Sequence, residues 1–176
     1  MTRLHLTFAV LATLAIASPQ VRAEEAIPGV SGAIAAVDTC LAAVGASSTD
    51  DARLAADGWI EKPIENISKA KGGAAANRLF AKDGAGAGIV VNIVKSKKRS
   101  VHHCHVMALR DAKGISAIEA ALALHLGAKL LTMPNGMVFF QIPNRDVIVT
   151  STPKKLGNGV QTDIHTMAFD VKEMTK

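Results

Sequence analysis

Tyrosine is absent from this chain, tryptophan occurs once, and all aromatic residues together make up 3% of it. Surfaces that hold single-stranded nucleic acid stack bases on aromatic rings set among basic side chains, and this composition does not furnish one. Charge points the same way, because a net charge of +5 over 176 residues is mild beside the basic stripe of a nucleic-acid-binding domain. Carboxylates paired for hydrolysis are missing too. Asp50 and Asp51 suit a helix start, where acids favour the dipole, while Glu61, Glu65, Asp111, Asp146, Asp163 and Asp170 are scattered. There is no Ser-His-Asp order and no nucleophile elbow. The glycine clusters around Gly72-Gly73 and Gly84 to Gly88 lack the Gly-Lys-Ser/Thr of a phosphate loop.

Long apolar runs are confined to the N-terminus. Thr2-Arg3, the stretch Leu4 to Ala17 and then Val21-Arg22-Ala23 form the pattern of an export leader cleaved after Ala23. Its apolar part, about 14 residues, falls short of the roughly 20 that span a bilayer. No cysteine stands at the cleavage point for lipid attachment, and no arginine pair marks the twin-arginine route. The expectation is a leader over 1–23 and a single domain over 24–176, periplasmic or secreted and not membrane-spanning. Losing Arg3 and Arg22 leaves 18 basic residues against 15 acidic ones.

In an oxidising compartment the two cysteines, Cys40 and Cys104, are expected to pair with each other. Val30, Ile34, Val37, Leu41 and Val44 recur at helical spacing, with Cys40 on that stripe. Cys104 sits in the β-like segment Ser100 to Leu109, so the bridge would staple the first helix to a central strand. A thiol nucleophile activated by a flanking histidine is disfavoured by strand geometry: His103 and His105 point away from Cys104, and only His102 shares its side.

The remaining pattern reads as follows. Ser48 with Asp51 opens a short helix through Ala56, stopped by Gly58, after which Trp59 packs on a helix face. Between the glycine clusters, Asn77 to Phe80 suits a helical turn or a short strand, with mobile loops at either end. Asn66-Ile67-Ser68 is a glycosylation sequon. Ile89 to Lys95 and Ser100 to Leu109 form an antiparallel hairpin. Ser116 and Glu119 make a capping box for a helix carrying Ile118, Leu122 and Leu126 and closed by Gly127. Three to four strands follow, with candidates Met137 to Ile142, Val147 to Thr152 and Val160 to Val171, separated by Pro- and Asn-rich turns. The fold class is α+β: an antiparallel sheet of about five strands, with the N-terminal helices packed on one face. Ile89 to Val94 is apolar on both faces except at Asn92, so something should cover the second face, either within the monomer or in a homodimer.

A helix bearing Cys40, a short helix ending in Gly58-Trp59, Cys104 in a hairpin, then a helix and a meander resemble small exported proteins of alphaproteobacteria. The resemblance implies a fold and a compartment and no activity.

Two surfaces remain as candidate sites. His103 and His105 project from one strand face, a spacing that suits two ligands of one Cu²⁺ or Zn²⁺. His165, with Met107 or Met167, would complete such a site if the strands are neighbours. Lys95, Lys97, Lys98 and Arg99, with Lys154 and Lys155 in another loop, concentrate positive charge suited to an anionic envelope component or an acidic protein partner. The sequence thus points to a non-enzymatic envelope binding or inhibitor-like module, with a copper- or zinc-binding protein as the alternative.

Overall fold

The computed structural model describes residues 29–64, 75–95, 100–110, 115–143, 146–156 and 159–168. The expected leader over 1–23, the sequon at Asn66 and the glycine cluster at 72–73 lie outside the described residues. Helix α1 (Val30–Ala43) and short α2 (Asp51–Ala56) precede strands β1 (Ile60–Lys62), β2 (Ala75–Ala81), β3 (Ala87–Lys95) and β4 (Ser100–Leu109). Helix α3 (Ala117–Leu126) then leads into β5 (Lys129–Thr132), β6 (Val138–Gln141), β7 (Val147–Leu156) and β8 (Gly159–Ala168). All strands join one antiparallel sheet of eight, in the order β1-β2-β3-β4-β8-β7-β6-β5. Among the described residues no helix is long and apolar enough to cross a membrane.

The expected five strands are therefore eight. β1 was hidden because all three of its residues are exposed and carry no alternation. It is held at the sheet edge by its pairing with β2 and by the Arg78 fork on Glu61, at 2.9 and 2.7 Å. β2 settles the ambiguity at Asn77 to Phe80 in favour of a strand, and β5 occupies four residues that follow directly on the helix stop. β7 also runs past Thr152 through Pro153 to Leu156.

One face of the sheet carries the core. Ile89 and Val91 of β3, Cys104 and Val106 of β4, Val138 and Phe140 of β6, Val149 of β7 and Ile164 of β8 are all buried, and α1 and α3 supply the matching apolar surface. α1 meets the sheet with its small residues, Ala33, Ala36, Cys40 and Ala43, while Ile34 and Leu41 lie at the flank. Small side chains let the helix come close. A Cβ on Gly32 would stand 1.6 Å from the Ala85 carbonyl oxygen, so the β2–β3 turn is seated against α1. α2 is capped by Asp50, whose carboxylate accepts from Arg53 N at 3.0 Å, in place of the expected Ser48. Trp59 is buried behind it and donates through Nε1 to Thr39 Oγ1 of α1 at 3.1 Å. The capping box of Ser116 and Glu119 and the left-handed Gly127 stop stand as expected. Cys40 and Cys104 are joined, with Cα atoms 5.7 Å apart, tying α1 to β4.

The chain is built twice. The row of residues across the sheet Leu79–Val90–His105 continues as His165–Thr150–Phe139. Each of the second three stands 60 residues after its counterpart in the first. Phe80 and Phe140, both buried, keep the same interval. So do His105-Val106-Met107-Ala108 and His165-Thr166-Met167-Ala168. The first half is α1 and α2 followed by the meander β1 to β4, the second is α3 followed by the meander β5 to β8, and the halves meet where β4 pairs with β8. An approximate twofold axis perpendicular to the sheet passes through the His105↔His165 pair.

Candidate functional site

On β4 and β8 the period-two alternation of strands sends His102, Cys104, Val106, Thr162, Ile164 and Thr166 into the core and the intervening residues to the opposite face. No described helix packs on that outer face. At its centre stand His103, His105 and Met107 of β4 and Asp163, His165 and Met167 of β8, with His105 directly across from His165 and Met107 across from Asp163. The strands that had to be neighbours for the histidines to meet are neighbours.

The three imidazoles form a stack. His165 lies between His105, at 4.6 Å between ring centroids and 14° between planes, and His103, at 5.1 Å and 28°. Nδ1 of His103 is 3.0 Å from Nε2 of His165, so one of these nitrogens carries the proton and the other accepts it. Nδ1 of His105 is 3.0 Å from Oδ1 of Asp163. Beside His103 on β3, Asn92 donates to Asn77 Oδ1 at 2.6 Å, extending the polar row.

Burial holds His165 well below the ordinary histidine range, at about 4, helped by the neighbouring His105 and His103 and opposed by Asp163. His103 is lowered by burial and then by His105 and His102. For Asp163 burial acts upward, but the hydrogen bond and charge of His105 outweigh it and lower the carboxyl. The lowering favours the neutral forms of His103 and His165, the state in which imidazole lone pairs bind metal ions.

Two ring nitrogens bound to one ion at about 2.0–2.1 Å stand roughly 3–3.4 Å apart. The His103–His165 spacing already falls there, and the proton shared between the two nitrogens must move to the other nitrogen of its ring before both can ligate. Among the described residues, no three His, Cys, Asp or Glu side chains are arranged around a common point as an ion's ligands would be. A third ligand must therefore come by side-chain rotation. His105 is the nearest imidazole to His165, and its bond to Asp163 leaves Nε2 as the free nitrogen, as carboxylate partners of ligating histidines commonly do. Asp163 was missed in the sequence as a partner for these histidines. Its position two residues before His165, hence on the same face, was the available signal.

The other sequence candidates are dispersed. His102 is buried beside the disulfide and hydrogen-bonded through Nδ1 to Thr49 Oγ1 at 2.8 Å. With both cysteines bonded to each other, Cys104 has no thiol to offer. Lys95 ends β3 next to the start of β4, whereas Lys154 pairs with Gln161, which stands across from the last residue of β4, so Lys95 and Lys154 lie at opposite ends of that strand. Lys97, Lys98 and Arg99 lie outside the described residues. Comparison with protein-family models, with curated proteins and with solved structures gives no match.

Proposed function

We propose that this chain is an exported binding module for a divalent transition metal, Cu²⁺ or Zn²⁺, held on the outer face of the sheet by His103 and His165 with His105 as the third imidazole and Asp163 behind it. The observation that carries this reading is the 3.0 Å between His103 Nδ1 and His165 Nε2, contributed by two strands 62 residues apart in the chain. Imidazole suits both ions, and copper binds the more tightly of the two at a given nitrogen site. Export is supported by the leader pattern, by the resemblance to small exported proteins and by the disulfide, since such bonds persist outside the reducing cytosol.

Calorimetric titration and thermal melting with Cu²⁺ and with Zn²⁺ test the proposal. At an ion concentration 100 times Kd the folded state gains about 2.7 kcal/mol, which raises Tm by several degrees for a domain of this size. Replacing His103 and His165 by alanine should abolish both signals. His125→Ala should leave them intact, because His125 is engaged with Asp38 on the helix side at 2.9 Å. Absence of heat and of any Tm shift with both ions overturns the reading.

A further inference from the structure

The register of β4 and β8 carries a second consequence for the same face. Cys104 and Thr166 are the last pair of the β4–β8 ladder, and His103 and Met167 are the next residues along the two strands. Met167 is also two residues from His165 on the same strand and the same face. His103, His165 and Met167 therefore occupy three adjoining positions, and two of them already hold their nitrogens at ligand spacing. Ile148 of β7 stands across from Met167.

Its symmetry mate is placed differently. The Met107 methyl carbon lies over Gly88 of β3, 3.8 Å from where a Cβ there would stand. Met107 thus leans away from β8, into the space that the missing side chain at Gly88 leaves open. Of the two methionines in the repeated His-x-Met-Ala motif, Met167 follows His165 by two residues on the imidazole face, and Met107 turns toward Gly88.

Thioether sulfur is a soft donor that selects Cu(I), whereas Zn²⁺ is served by nitrogen, oxygen and thiolate. We infer that His103, His165 and Met167 form a site for Cu(I), so that the module takes copper in its reduced as well as its oxidised state. This rests on the metal-binding reading above and adds to it a ligand and an oxidation state; it concerns binding alone.

The test is an anaerobic competition for Cu(I) against the chromophoric chelator bicinchoninate, run beside calorimetry with Zn²⁺ and Cu²⁺ on the wild-type protein, Met167→Leu and Met107→Leu. Leucine nearly conserves methionine's volume, so both variants should fold with unchanged circular dichroism. Met167→Leu should weaken Cu(I) binding by about tenfold or more while leaving Zn²⁺ within about twofold. Met107→Leu should change neither. X-ray absorption of the Cu(I) form should show a sulfur ligand that disappears in Met167→Leu. If Met167→Leu binds Cu(I) as the wild type does, or if the wild type takes Cu²⁺ or Zn²⁺ and leaves Cu(I) with the chelator, the inference fails and the divalent-metal reading stands. If no ion binds, both fail.

Discussion

His165 shows how one residue's surroundings set its chemistry. It is half-buried between two other imidazoles, and its conjugate acid is pushed down to about 4 by burial first and by His105 and His103 next. In the unfolded chain an ordinary histidine titrates near 6.5. The folded state therefore favours neutral His165, and that contribution is complete above about 6.5 and is lost as the pH falls toward 4. The metal-free protein should have a nearly constant Tm above neutrality and a falling one below about 6.5. His165→Gln, which cannot take up the proton, should melt with a shallower dependence over that window. Equal slopes for the two proteins would mean that other groups dominate acid destabilisation. The sequence shows His103 and His105 on one face by simple alternation. Which strand brings a third histidine to them is a matter of pairing, which no local pattern encodes.

Among the elements, α3 is the most legible and the most firmly anchored. Its capping box is written in Ser116 and Glu119, yet Glu119 does more than close a helix. It is fully buried. Its Oε2 accepts from Ser116 N at 2.8 Å and from Arg110 Nη2 at 3.2 Å, and its Oε1 accepts from the Ser151 hydroxyl, which also meets Thr162. The carboxylate thus links α3 to β7 and β8. Glu119→Ala removes part of the capping box, opens a void and takes away the carboxylate that Ser116 N, Arg110 and Ser151 share, at a cost of about 3 kcal/mol in urea unfolding. Ser116→Ala, which removes only the cap, should cost about 1 kcal/mol. These roles separate because the cap depends on residues three apart, which a sequence displays, while the link to Ser151 spans 32 positions. β1 and β5 escaped notice for a related reason. They are short edge strands whose stability comes from neighbours such as Arg78 on β2 and Phe140 on β6, and their own residues show no buried face.

For the molecule as a whole, the disulfide closes a stretch of 64 positions around the first half of the fold. Restricting the unfolded chain to that extent contributes about 4 kcal/mol on the chain-entropy account. The Cys40→Ser/Cys104→Ser double variant should be destabilised by that amount in urea, and reduction of the wild type should reproduce it. A difference below about 1 kcal/mol would show that core packing alone holds α1 on the sheet. The pairing of the cysteines was legible because there are only two. The doubling of the fold was not, because most positions related by 60 residues share only a pattern of burial, and His-x-Met-Ala is one of few places where they also share identity.

The histidine stack lies across the seam between the two meanders, where β4 of one is hydrogen-bonded to β8 of the other. An ion bridging His103 and His165 would act as a rivet through that seam, binding the first half of the polypeptide to the second at the middle of the sheet. Whatever affinity the ion has would then be felt as resistance of the entire domain to coming apart, and occupancy of a surface site would be readable as the lifetime of the whole fold.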